Sequence, residues 1–267
     1  MINKRVSIIG CGNIGLSILQ GLLKQQIIPA NNISVTRRNT EEISYLKESG
    51  VRLMSDNIEA IRESDLIIIA VKPYNLITVL EELKDHFNPG RQLLISVTAG
   101  VTISKIQNVI NTRIPVFRAM PNISASVGKS VTCICHDGVK PEEIESVKFL
   151  FDIIGTTMII DEDLMESATI LGACGVAYVL RFIRAMIQGG IQIGFDAATA
   201  STIVNQTVKG AAELLIERHQ HPEFEIDKVT TPKGCTIVGL NEMEHNGFSS
   251  SLIKGLVASF ERIENRV

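Results

Sequence analysis

The chain has 267 residues, 45% hydrophobic and 21% charged, with 20 glycines and 8 prolines, which excludes disordered and fibrous classes and leaves room for one large or two modest domains. A net charge of −3 and a pI near 6.0 give no overall field that favours nucleic acid or an anionic membrane. Five scattered cysteines, at 11, 133, 135, 174 and 235, predict reduced thiols in a cytoplasmic protein rather than a disulfide framework.

Near the N-terminus Lys4 and Arg5 precede an apolar stretch, but Gly10, Gly12 and Gly15 interrupt it. No small-residue cleavage site follows, so no signal peptide is expected. The longest strongly apolar run, residues 66–71, falls far short of the roughly 18 residues of a membrane span. Short β-branched runs at 6–9, 33–36, 66–71 and 93–97 each precede apolar residues at helical spacing, at 14–23, 40–48, 73–86 and 104–110. That alternation predicts a doubly wound α/β domain with a parallel sheet. Strands at 115–118 and 130–133, a helix at 141–151 and a strand at 157–160 complete it, placing the first domain at 1–160 and the second at 161–267.

Beyond Asp161 the pattern becomes helical. Residues 164–188 predict a helix of ~37 Å at 1.5 Å per residue, and Leu171, Val176, Tyr178, Val179, Leu180, Phe182 and Ile183 leave it little polar face. A helix apolar almost all round must be covered. A region of about 100 residues can hardly wrap it alone, so the same region of a second subunit is the expected cover. Further helices are predicted at 197–218, 236–246 with Gly247 as the stop, and 250–264.

Gly10, Cys11, Gly12, Asn13, Ile14 and Gly15 carry the G-x-G-x-x-G spacing directly after a predicted strand and at the start of a predicted helix. Such glycines let the chain turn, let a pyrophosphate approach the backbone and let helix pack on strand; the helix N-terminus adds N–H donors. NAD-preferring sites usually end the second strand with an acid, whereas this chain has Thr36, Arg37 and Arg38. Two guanidinium groups suit a 2′-phosphate, so NADP(H) is preferred and NAD(H) is left open. Val71, Lys72 and Pro73, and residues 96–100, lie on the strand-end rim where open α/β sheets bind ligands.

Thr230, Thr231, Pro232, Lys233, Gly234, Cys235 and Thr236 read as a loop feeding a helix N-terminus. It serves either as an anion site or as a plain cap formed by Thr231 or Thr236. Residues 163–190 contain no lysine or histidine, the usual acid–base partners in alcohol oxidation. Reduction of a C=N bond needs less of that machinery. His219 and His221 read as a helix exit, with no third ligand nearby and no metal expected; Cys133 and Cys135 read as small buried hydrophobes.

Along the chain, Gly10-Cys11-Gly12-Asn13-Ile14-Gly15, Asp56-Asn57, Ala70-Val71-Lys72-Pro73, Thr98-Ala99-Gly100-Val101, Arg118-Ala119-Met120-Pro121-Asn122, Gln206-Thr207-Val208-Lys209-Gly210-Ala211, His221-Pro222, Val229-Thr230-Thr231-Pro232 and Gly247-Phe248 fall in the order and spacing of one family. The whole chain resembles pyrroline-5-carboxylate reductase. The resemblance implies an N-terminal NAD(P)H-binding Rossmann domain, a C-terminal all-α domain that interlocks homodimers, often gathered into rings, and an active site between the two. It implies that 1-pyrroline-5-carboxylate is reduced to L-proline, the last step of proline biosynthesis. Ile9, the glycine loop and Thr36 to Arg38 would hold phosphates, Asn57 the adenosine part, and Ala70, Val71, Lys72, Pro73, Val97 and Thr98 the nicotinamide end. Thr236 would hydrogen-bond the ring nitrogen, while Thr231, Gly234, Cys235 and Ala99 would bind substrate.

The departures from the family pattern fall near the chemistry. Val176 stands where the family's long helix has proline, Lys233 and Cys235 stand in a loop usually written Ser-Pro-Gly-Gly-Thr-Thr, and Ser124 replaces a proline after Asn122. Lys233 either adds a charge for the carboxylate or forbids a positive φ. The competing readings are a non-catalytic NADP-binding sensor or interaction protein, a reductase of another cyclic imine, and a β-hydroxyacid dehydrogenase, which would want a lysine on the long helix.

Overall fold

Runs of Val, Ile and Leu assemble into one eight-stranded sheet in the computed structural model, which describes residues 4–264. The strands are β1 (Val6–Ile9), β2 (Ile33–Thr36), β3 (Arg52–Met54), β4 (Leu66–Ile69), β5 (Leu93–Ser96), β6 (Val116–Met120), β7 (Ser130–His136) and β8 (Gly155–Ile159). Their order is β3-β2-β1-β4-β5-β6-β7-β8. Pairing is parallel throughout except between β6 and β7. The 3-2-1-4-5-6 portion is the doubly wound dinucleotide order, with its crevice beyond the ends of β1 and β4, where the strand order reverses.

Side-chain alternation explains why both faces of the central strands are dry. Val6 and Ile8 of β1 and Leu66 and Ile68 of β4 join one buried cluster with Leu19 and Leu22 of the helix Asn13–Gln25. Ile9, Ile67 and Ile69 join the other, against Leu76 and Leu80 of the helix Pro73–Leu83 and Ile106 of Ile103–Ile110. Each such side chain contributes about 1.5–3 kcal/mol on burial.

Several elements differ from the sequence expectation. β3 lies outside it because three half-buried residues that include Arg52 show no strand period. The helix expected at 40–48 is a 3-10 run, Glu41–Ser49, and a short helix at Asn57–Arg62 follows Asp56, whose carboxylate accepts from the N–H of Ile58 at 2.8 Å and Glu59 at 3.1 Å. Cys135 is fully buried on β7, and burial pushes its thiol up to about 11.

The helix expected at 164–188 forms, with a π turn inside it: Met165–Ala168 runs into Thr169–Cys174 and then into Gly175–Gln192. The residues divide into two compact units, one reaching Cys174 and resuming at Phe260, the other Gly175–Ser259. The sheet's unit thus runs past residue 160; the outer limits 1 and 267 lie outside the described residues. The stretch Glu162–Gln192 is also long and apolar enough to cross a membrane by length and composition, with an 18-residue window of mean hydropathy 1.7. It holds no long unbroken apolar run, because Arg181, Arg184 and small residues punctuate it.

In the second unit the helices are Gly175–Gln192, Ala197–Arg218, Pro222–Val229, Cys235–His245 and most of Phe248–Glu264. Asp196 starts the longest by accepting from the N–H groups of Ala198 and Thr199, both at 3.0 Å. Tyr178 Oη and Ser259 Oγ are hydrogen-bonded at 2.7 Å, and the rings of Phe182 and Phe248 lie 6.1 Å apart. His219 ends Ala197–Arg218 with a φ of 53°, and His221 Nδ1 accepts from Glu223 N at the start of Pro222–Val229. That helix lies outside the sequence expectation because its eight residues, PEFEIDKV, carry only three large apolar side chains. Large apolar side chains remain uncovered here, Leu180, Val238 and Ile253 each more than half exposed.

Candidate functional site

The three glycines after β1 meet three different constraints. Gly10 has φ +95°, and a Cβ there would stand 2.9 Å from the Ala70 carbonyl oxygen. A Cβ at Gly15 would stand 2.3 Å from the Gly10 oxygen, whereas one at Gly12 would meet nothing within 4 Å. Gly12 therefore borders open space at the N-terminus of Asn13–Gln25, and no side chain among the described residues caps that helix. An open backbone approach beside uncapped N–H donors fits a dinucleotide's pyrophosphate.

Around this loop lies a cleft of about 940 Å³. Ile9, Gly10, Cys11, Gly12, Asn13 and Ile14 form one wall. Thr36, Arg37, Arg38 and Asn57 close one end; Ala70, Val71, Lys72, Val97 and Ala99 line the ends of β4 and β5. Gly15, Pro73 and Thr98 border the loop and rim but do not line the cleft. Gly15 lets the helix seat on the loop, and Pro73 opens Pro73–Leu83 at a position where its missing N–H costs nothing. The Thr98 hydroxyl donates to the Val71 carbonyl at 3.1 Å, which ties the two rim segments together.

Hydrogen bonds fix the end beyond β2. Gly10 N and Cys11 N both donate to the Thr36 carbonyl, at 3.2 and 2.9 Å. The Thr36 hydroxyl donates to Asn57 Oδ1 at 2.7 Å, and Asn57 Nδ2 donates to Glu82 Oε2 at 3.2 Å. Arg37 donates to the Cys11 carbonyl at 3.1 Å and pairs with Glu42. Burial pushes the Cys11 thiol up, against the opposing pull of Arg37, so the loop carries a neutral thiol rather than an anion that would repel phosphate.

Other lining residues were not among the sequence candidates. Asn75, Thr78, Val79 and Glu82 come from one face of Pro73–Leu83, a spacing of three and four that was available as a signal. Met120, Pro121, Asn122 and Ile123 extend from β6 onto the same rim, and Thr169 and Ala173 arrive from the π turn. Asn122 Nδ2 donates to the Gly172 carbonyl at 3.0 Å. Its Oδ1 accepts from Ser124 N at 2.9 Å, a bond that the proline replaced by Ser124 has no N–H to make.

Thr231, Gly234, Cys235 and Thr236 lie in the second unit. Gly234 is the N-cap of Cys235–His245, with no side-chain cap bond, so neither threonine caps this helix. A Cβ on Gly234 would stand 2.6 Å from Thr231 Oγ1. Lys233 adopts φ +59°, which resolves the question of its backbone: the lysine occupies the left-handed region rather than forbidding it. Thr236 sits in the first turn, beside N–H groups that no side chain among the described residues satisfies as a cap.

The comparisons agree with this architecture. Residues 162–266 match a model described as pyrroline-5-carboxylate reductase dimerisation, which begins where the apolar helical stretch begins. Residues 5–100 match one described as NADP oxidoreductase, coenzyme F420-dependent. Pyrroline-5-carboxylate reductase 2 of Dictyostelium discoideum is 40% identical over 97% of this chain and 92% of its own length. Pyrroline-5-carboxylate reductase 1 of the same organism is also 40% identical, over 96% of this chain, which spans about half (49%) of that longer protein. The Plasmodium falciparum pyrroline carboxylate reductase structure with NADP bound superposes with a TM-score of 0.90 at 28% identity, covering 99% of this chain and 98% of that one. The Coxiella burnetii pyrroline-5-carboxylate reductase gives 0.88 at 28% identity over the same shares. The chain belongs to the pyrroline-5-carboxylate reductase family.

Proposed function

We propose that this protein reduces 1-pyrroline-5-carboxylate to L-proline with NADPH as the preferred hydride source, acting in the cytoplasm as a homodimer joined through its helical unit. The observation that carries the reading is the glycine cradle, with its open Gly12 and uncapped helix, on a chain 40% identical over 97% of its length to a relative of that name. The bound nicotinamide would supply a hydride to the carbon of the C=N bond.

The chain's own residues then bind, orient and exclude water. N–H groups at the start of Asn13–Gln25 hold the pyrophosphate, and the Thr36–Asn57 hydrogen bond orients the adenosine side. Ala70 and Val97, both nearly buried, present apolar walls that keep water from the hydride path. Thr236 donates its hydroxyl to the ring nitrogen, whose proton comes from solvent, and the loop at Thr231, Gly234 and Cys235 receives the substrate carboxylate against a helix N-terminus. The absence of lysine and histidine from residues 163–190 suits imine reduction better than hydroxyacid oxidation. Exposed Leu180, Val238 and Ile253 support burial against a second copy.

The test is product formation. Proline measured by chromatography should appear one for one with NADPH consumed, faster than with NADH, and sedimentation should show no stable single chain. NADPH binding without proline would leave the non-catalytic reading in its place.

A further inference from the structure

In a doubly wound fold the end of the second strand meets the ribose 2′ position of a dinucleotide. The strand here ends in Thr36, so no acid stands at that position. A carboxylate reaches the same end of the cleft from elsewhere in the chain. Glu42, in the first turn of Glu41–Ser49, lines it together with Arg37, Arg38 and Asn39. One Glu42 oxygen pairs with Arg37, and the other accepts from Asn39 Nδ2 at 3.2 Å. Two of the donors that suit a phosphate are already engaged by an anion of the chain itself.

We propose that Glu42 is a specificity residue that competes with the 2′-phosphate for Arg37 and Asn39 and so leaves the site open to NADH. The proposal rests on the NADPH reading above and deepens it. A phosphate monoester carries about −1.5 to −2 charges near neutral pH. To use Arg37 it must displace the Glu42 carboxylate and then lie beside it. A 2′-hydroxyl brings no charge and donates to Glu42 where it stands. Arg38 lines the same end with no ion pair among the described residues, so the phosphate keeps an advantage, but a reduced one. Because Glu42 is more than half exposed, with 55% of its side-chain surface accessible, the effect has the size of a surface pair and is screened by salt.

The experiment titrates the two cofactor fragments, 2′,5′-ADP and 5′-AMP, into wild-type protein and Glu42→Gln by calorimetry, with melting temperatures as the control for folding. The proposal expects Glu42→Gln to bind 2′,5′-ADP about 3- to 5-fold more tightly, with 5′-AMP changed by less than about twofold. The gap should narrow in about 0.5 M salt. In an Arg37→Gln background the same substitution should have less than about a twofold effect, because the contested donor is gone. Unchanged or weaker 2′,5′-ADP binding by Glu42→Gln, with wild type binding both fragments, overturns the competitor role and leaves the NADPH reading intact. A wild type that binds neither 2′,5′-ADP nor NADPH overturns both.

Discussion

Gly15 and Gly10 are locked together: a side chain on the first would run into the backbone oxygen of the second at 2.3 Å. Gly12, two residues from Gly10, borders empty space. The loop thus separates a packing requirement from a binding requirement.

Gly15→Ala and Gly12→Ala should therefore fail differently. The first forces backbone apart and should destabilise the protein by about 1–3 kcal/mol, outweighing the better helix propensity of alanine. The second keeps an allowed backbone, φ −83°, and should melt near wild type while losing most NADPH affinity. Urea unfolding and cofactor fluorescence titration, run on both variants, check the pair.

Arg118, on β6 and almost fully buried, donates to Glu162 at 3.0 Å and to Glu166 at 2.7 Å. Glu162 also accepts from the Ile103 N–H at 2.8 Å, so the cluster joins β6, the start of Ile103–Ile110 and the turns leading to Thr169–Cys174. Arg118→Met should cost about 3 kcal/mol, because it leaves two partly buried carboxylates facing each other. Adding Glu162→Gln and Glu166→Gln should recover part of that loss, and urea midpoints measure both steps.

Lys233 holds a left-handed backbone, φ +59°. Such a conformation costs a non-glycine residue about 1–2 kcal/mol, partly offset because glycine loses more entropy on folding. Lys233→Gly should raise stability by about 0.5–1 kcal/mol, seen as a higher urea midpoint with an unchanged slope.

The fold was legible wherever one local signal sufficed. The strands at 6–9 and 33–36 and the helix at 197–218 stand at their expected bounds, since dense β-branched runs and an Asp196 cap mark them. β3 and Pro222–Val229 were not legible, because neither shows an apolar period long enough to read. At the cleft, the glycine spacing announced the loop itself. Glu82 shares a face of Pro73–Leu83 that its spacing could have shown and Asn122 stands in a motif the sequence displays, but that both border this cleft, and that Glu42 does so from a 3-10 turn after β2, is set by tertiary packing that no local pattern announces. The π turn left no proline to mark it, and Lys233 shows that a residue type disfavoured at positive φ is carried there by the surrounding loop.

Asp196 provides a pH test. Hydrogen bonds from Thr199, side chain and backbone, outweigh a small burial effect and hold its carboxyl below the usual aspartate value. A group whose folded pKa is depressed contributes stability that is fully present above its unfolded pKa and is lost as pH falls through the folded one. Asp196→Ala should therefore melt below wild type near pH 7, and the gap should shrink steadily below about pH 4. Melting curves across that range check the sign.

The proposed bond from the Thr236 hydroxyl to the imine nitrogen is tested most directly by the initial rate of NADPH oxidation with 1-pyrroline-5-carboxylate for wild type, Thr236→Ser and Thr236→Ala. Wild type should turn over, serine should keep most of the rate, and alanine should lose about 100-fold in kcat/KM with NADPH affinity unchanged. A wild type that binds NADPH but consumes none, or an alanine variant as fast as wild type, would contradict the account.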